Sequence, residues 1–112
     1  MVEHQSKKTV VVFDGDDSSP EVMIPVVNLL EQLGLPIRFE RPLLGTAAIE
    51  ATGEAFPAAT RAAIDAADTT FFGSTSGNST AALFYLRWGK QTFANVRPSE
   101  WLPGFQSPLK HP

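Results

Sequence analysis

The chain has 112 residues, a length that supports one domain around one core and not the two-domain cleft that many cofactor enzymes use. Hydrophobic residues make up 43% and charged residues 19%, with eight Phe among them, so the composition predicts a globule rather than a disordered tail. A formal charge of -3 lacks the cationic excess that phosphate-backbone binding needs, and zero cysteines exclude disulfides, thiolate chemistry and cysteine-ligated metals.

The first seven residues are polar and are expected to be disordered. They lack the apolar segment of a signal peptide, and no run along the chain approaches the roughly 20 apolar residues of a membrane span, so the cytoplasm is the expected location. Lys8-Thr-Val-Val-Val-Phe13 is a continuous β-branched run, the pattern of a strand buried on both faces of a parallel sheet. After Asp14-Gly15, a helix is predicted to begin at Ser18 or Ser19 as its cap. Pro20 suits the first turn, Glu21 suits the positive end, and Gly34 supplies the stop. Apolar residues from Val22 to Leu33 recur at helical spacing.

Leu35 to Arg41 alternates apolar and charged residues and predicts a second strand, nearer an edge than the first. The small-residue stretch Gly45 to Gly53 has room for one helical turn, and Pro57 opens a helix through Ala67. Thr69-Thr-Phe-Phe72 is a third strand, running into the polar loop Gly73 to Asn78. Ser79 or Thr80 caps a last helix through Lys90, Thr92 to Arg97 reads as a fourth strand, and residues 98–112 carry too many prolines and turn residues for regular structure. Strands alternating with helices predict a single α/β domain. Its mostly parallel sheet of about four strands lies between two helical layers, with right-handed crossovers.

In such sheets ligands gather at the carboxyl ends of the strands, where the Asp14 loop and the Gly73 loop both fall. With His4 and His111 near the termini, a metal site could draw only on Asp14, Asp16 and Asp17. These three read as solvated helix-capping acids, because hard cations take oxygens from several directions; no metal ligand is assigned.

Four collinear segments between Phe13 and Lys110 carry a resemblance. They are Phe13-Asp-Gly-Asp-Asp-Ser-Ser-Pro-Glu-Val22, Gly45 to Gly53, Leu86-Arg87 followed by Phe93-Ala-Asn-Val-Arg-Pro98, and Pro103-Gly104 followed by Ser107-Pro-Leu-Lys110. In order and spacing they resemble the amino-terminal part of the β-decarboxylating dehydrogenases, the isocitrate, isopropylmalate, tartrate and malate group. The resemblance implies a substrate pocket in which Arg87, on the last helix, and Arg97, in the Asn-x-Arg-Pro stretch, hold substrate carboxylates. The chemistry agrees, since two guanidinium forks can fix the orientation of a di-acid. Leu83 and Thr80 lie about one and two turns before Arg87 on the same helix face. Leu83 matches a position that is apolar in isopropylmalate enzymes and polar in isocitrate enzymes.

The same resemblance puts Gly73, Thr75 and Asn95 on the cofactor side. The family's proton-moving tyrosine and lysine and its metal-binding aspartates lie beyond the matched stretch, so no residue here inherits a catalytic role. NAD(P) and Mg or Mn are implied only where a partner chain completes the cleft. Departures from the pattern are Ala81 where isocitrate enzymes carry serine and Thr80 where isopropylmalate enzymes carry glutamate. Asp16-Asp17-Ser18-Ser19 replaces the glycine loop that lets backbone approach a cofactor.

Three readings follow: a catalytically incomplete relative that binds a small (di)carboxylate, a subunit of an oxidative decarboxylase completed by another chain, and a regulatory or structural partner of a full-length relative. Phe84, Tyr85 and Trp88 around Arg87 make the last helix apolar on more than one side, which predicts self-association or a partner chain.

Overall fold

The computed structural model describes residues 6–109. In chain order they form β1 (Lys8–Phe13), α1 (Ser19–Gln32), β2 (Ile37–Glu40), α2 (Thr46–Thr52), α3 (Ala58–Ala66) and β3 (Thr69–Phe72). A 3-10 turn at Gly77–Ser79 then leads into α4 (Thr80–Phe84), which continues as a π-helical turn over Tyr85–Gly89. The sheet has the order β2-β1-β3, and both pairings are parallel, with Val10 opposite Phe39 on one side and Thr69 on the other.

The valine run takes the centre because both of its faces are covered. Val10 and Val12 pack on Met23 and Val27 of α1, while Val11 and Phe13 pack on Ile64 of α3 with Tyr85 and Leu86 of the π-turn. Helices therefore lie on both faces of the sheet. The alternating β2 sits at an edge, as its charged residues require. Pro20 occupies the first turn of α1, and Gly34 ends that helix with φ 64°.

Some local expectations are corrected. Ser18 and Ser79 take the cap positions of α1 and α4 as expected, but neither closes its helix with a side-chain hydrogen bond. The Ser19 hydroxyl accepts a hydrogen bond from the Ser74 N–H at 2.9 Å, and that of Ser79 donates to the Asp16 carboxylate. The Gly45–Gly53 stretch yields seven helical residues rather than a single turn, because both flanking glycines adopt positive φ and free the alanine-rich interior to wind.

The fourth strand does not form. The sheet has three strands, and residues 92–109 contain no helix or strand. The turn before that segment explains the difference. Gln91 has φ 53°, and the Thr92 N–H and hydroxyl both donate to the Arg87 carbonyl, so the backbone that should start a ladder is tied to the π-turn. No layer covers the alternating side chains that follow. Phe93 is fully exposed, and Val96 and Trp101 are exposed. The expected disorder of residues 1–7 falls mainly on 1–5, outside the described residues, as do His4 and His111.

Candidate functional site

Parallel pairing brings the carboxyl ends of all three strands to one edge of the sheet, and two loops meet there. The Asp16 N–H donates to the Ser74 carbonyl at 2.9 Å, and the Ser76 N–H donates back to Asp16 Oδ2 at 2.8 Å. The Ser76 hydroxyl donates to Asp17 Oδ2 at 2.5 Å. Two glycines permit this closeness. A Cβ on Gly15 would lie 2.3 Å from the Ser74 carbonyl oxygen, and one on Gly73 would lie 2.5 Å from the Asp14 carbonyl oxygen. Asp16 and Asp17, read from sequence as solvated caps, are thus the clamp between two loops.

That clamp also tests the nucleotide expectation. Gly73 is spent on packing against Ser19 and Asp14, and the Thr75 hydroxyl is bonded to that of Thr80 at 3.2 Å. Two donors of the loop, the Ser76 N–H and hydroxyl, already serve Asp16 and Asp17, whose negative charge repels a phosphate. The carboxylates of Asp16 and Asp17 disfavour a dinucleotide's phosphates at this loop. Among the described residues there is likewise no group of three or more His, Asp or Glu placed to hold a metal ion.

Beside the clamp lies a cavity of about 240 Å³ lined by Phe13, Asp14, Arg41, Leu43, Leu44 and Ser79. Arg41 Nη1 pairs with Asp14 Oδ1 across it at 2.8 Å. The sequence reading missed Arg41. The signal was present, since β2 runs parallel to β1 and its last residues must reach the same edge as Asp14.

The residues assigned to carboxylate binding are divided between two supports. Thr80 and Leu83 are half-buried on α4, and Arg87 is exposed on the π-turn, whose defining bond runs from the Lys90 N–H to the Tyr85 carbonyl at 2.9 Å. Arg87 opens onto a depression of about 550 Å³ shared with Trp88, Thr92, Phe93, Ala94 and Asn95. Asn95 therefore stands near Arg87. Arg97 lies on the uncovered segment beyond, its Nε donating to Asn95 Oδ1 at 3.4 Å, and it does not line that depression. The ion pairs of the described residues use Lys8, Arg38, Arg41 and Lys90, and neither Arg87 nor Arg97.

A second polar cluster anchors the π-turn. Asp65 of α3 accepts hydrogen bonds from the Tyr85 hydroxyl at 2.7 Å and from Lys90 Nζ at 2.9 Å, and Arg61 stacks over the rings of Phe56 and Tyr85. The Tyr85 hydrogen bond, then that of Lys90, holds the Asp65 carboxyl below the usual aspartate value. The same contact with Asp65 raises both Tyr85 and Lys90. Geometrically the cluster is a brace for the turn that bears Arg87.

Comparison with known proteins agrees with this architecture. The sequence profile described as isocitrate/isopropylmalate dehydrogenase matches residues 9–112. The chain is 34% identical to a 3-isopropylmalate dehydrogenase of Archaeoglobus fulgidus, over 88% of this chain and 30% of that protein. It is 34% identical to the enzyme of that name from Mannheimia succiniciproducens (90% of this chain, 32% of the relative) and 32% identical to that from Deinococcus radiodurans (90% and 33%). The chain thus spans about a third of the length of these curated relatives. A family match over nearly the whole chain, on a parallel α/β sheet, makes this protein a member of the isocitrate/isopropylmalate dehydrogenase family.

Proposed function

We propose that this chain binds a small hydroxy acid with two or three carboxylates, of the malate, tartrate, isocitrate or isopropylmalate type, through Arg87 and Arg97, and that it carries out no hydride transfer by itself. The observation that carries the reading is the state of the two guanidiniums. Both are exposed on a family-matched stretch, and neither is consumed by an internal ion pair among the described residues. An unpaired guanidinium fork is well suited to a carboxylate. The π-helical turn adds support, since such turns concentrate at functional sites and this one presents Arg87 at the mouth of an open depression. Leu83 supplies an apolar neighbour on α4, in keeping with an alkyl-bearing acid.

Isothermal calorimetry with the four acids tests the reading. Heat is expected from at least one, and Arg87→Ala and Arg97→Ala should each weaken binding about tenfold or more, the range of a lost charge-assisted hydrogen bond. Absence of heat from every acid overturns it.

A second reading is favoured by the exposed apolar residues Phe84, Trp88, Phe93 and Trp101. In it another polypeptide, or a second copy, covers this surface and supplies the metal-binding groups, the proton-transfer groups and the nucleotide pocket. Activity with NAD and a divalent metal then appears only on mixing. Its absence in every co-purified or reconstituted assembly counts against this reading. Among the described residues no helix is long and apolar enough to cross a membrane, and we place the cysteine-free chain in the cytoplasm.

A further inference from the structure

We propose that Asp65 is a positioning residue for Arg87: by holding Tyr85 and Lys90 it locks the π-turn that presents the guanidinium, and so sets the affinity for the acid without touching it. The inference rests on the carboxylate reading and adds to it a residue outside the four family-like segments. Asp65 lines neither of the two depressions onto which Arg87 opens. Its Oδ1 instead accepts from both ends of the turn, from the Tyr85 hydroxyl at 2.7 Å and from Lys90 Nζ at 2.9 Å. The same two residues share the bond that makes the turn π-helical, from the Lys90 N–H to the Tyr85 carbonyl.

The winding and the clasp require each other. In an α-helix, residues five apart lie about 140° apart around the axis, so a carboxylate facing one is turned away from the other. The extra residue of a π-turn brings such a pair onto one face, where Asp65 meets both. Gly89 completes the arrangement. A Cβ there would lie 2.5 Å from Tyr85 Cδ2 and 2.8 Å from Cε2, so the Tyr85 ring occupies space that any side chain at this position would claim. A helical glycine weakens winding in its own right, and here it admits the ring that reaches Asp65. Arg61 and Phe56 hold the same ring, with the Arg61 guanidinium carbon 5.1 Å from its centroid and the Phe56 centroid 5.7 Å away. Exposed bonds like those of Asp65 add little to global stability. Acting on a local choice between α and π winding, they shift the populated form several-fold, and rewinding moves Arg87 relative to Leu83 and Arg97.

Calorimetry on the full chain with tartrate, malate, isocitrate and 3-isopropylmalate tests the proposal, beside spectrophotometric titration of Tyr85, the chain's one tyrosine. Hydrogen-bonded to Asp65, with Lys90 and Arg61 as its other charged neighbours, the Tyr85 phenol should titrate above the ordinary value of about 10 in wild type. It should titrate nearer that value in Asp65→Ala and in Gly89→Ala. Both substitutions favour helix by propensity and lie at exposed positions, so cooperative unfolding close to that of wild type is expected, while acid affinity falls about fivefold. Asp65→Ala added to Arg87→Ala should weaken binding no further, whereas added to Arg97→Ala it should still weaken it about fivefold. That split separates positioning of Arg87 from general loosening of the chain. Wild-type affinity in Asp65→Ala, a loss that persists in the Arg87→Ala background, or a wild-type phenol that titrates at the ordinary value overturns the positioning role and leaves the carboxylate reading standing. No heat from any acid overturns both.

Discussion

The β1 run Val10–Phe13 and the segment Phe93–Val96 carry similar apolar content and meet opposite fates. All four β1 residues are buried, whereas Phe93 and Val96 stand in solvent. Residue type does not separate them; neighbours do. β1 lies between two strands and two helical layers, while Phe93 follows a turn whose bonds hold Thr92 to Arg87. A β-favouring pattern becomes a strand only where a ladder partner and a covering layer exist together.

Core truncation should show this difference at its largest. Val11 is fully buried, and Val11→Ala should cost about 2–3 kcal/mol in urea unfolding, for the lost transfer energy and the cavity left behind. Val96→Ala, the same chemical change in the other region, should stay within about 0.5 kcal/mol. Comparable losses at both sites would show that the tail is packed in solution.

Glycine substitution sharpens the same contrast. A Cβ on Gly73 meets Ser19 Oγ and the Asp14 carbonyl in a loop clamp that cannot open without breaking the Ser74 and Asp16 bonds. Gly73→Ala should destabilise by about 1–3 kcal/mol, the range of overpacking. Gly104 has φ 94° but nothing near its missing Cβ, so Gly104→Ala strains only an irregular segment and should leave the unfolding midpoint in place. Thermal and urea melts of the two variants check this directly.

The pH dependence belongs to the folded half as well. The Asp68 carboxylate accepts the Thr9 N–H at 2.9 Å and pairs with Lys8, and these contacts, the first above all, hold it below the ordinary aspartate value. A depressed carboxyl contributes stability above its unfolded pKa and loses it as pH falls through the folded one, so the midpoint should decline below about pH 4. Both groups are substantially exposed, so the change is small. Asp68→Asn should flatten the acid limb without altering the midpoint at neutral pH by more than a minor amount.

The sheet was legible because β1, α1 and β3 each carry a periodicity and a punctuation mark that agree, as Pro20 and Gly34 do around α1. The clamp was not, because its acids serve partners some sixty positions away, Ser76 for Asp16 and Asp17. Local pattern reports a residue's own backbone and not a loop that folds back onto it. Arg41 was hidden for the same reason. Arg87 and Arg97 were singled out by family resemblance; that one sits on the π-turn and the other on the uncovered segment beyond it was not legible, because the strand pattern from Thr92 says nothing of the bonds that tie Thr92 to Arg87.

The smallest expected effect on stability is the most informative about partners. Phe93→Ser removes an aromatic ring that touches no core residue, so the unfolding midpoint should shift by less than about 0.5 kcal/mol. Exposed aromatic rings nevertheless favour association, and Phe93 shares its depression with Trp88, itself 67% exposed. Light scattering at high micromolar concentration should therefore show wild type associating and Phe93→Ser shifted toward monomer at equal stability. A wild-type monomer would remove the case for a covering chain. A variant that loses stability together with association would place Phe93 inside the fold, and the contrast with Val10–Phe13 would fail at its clearest point.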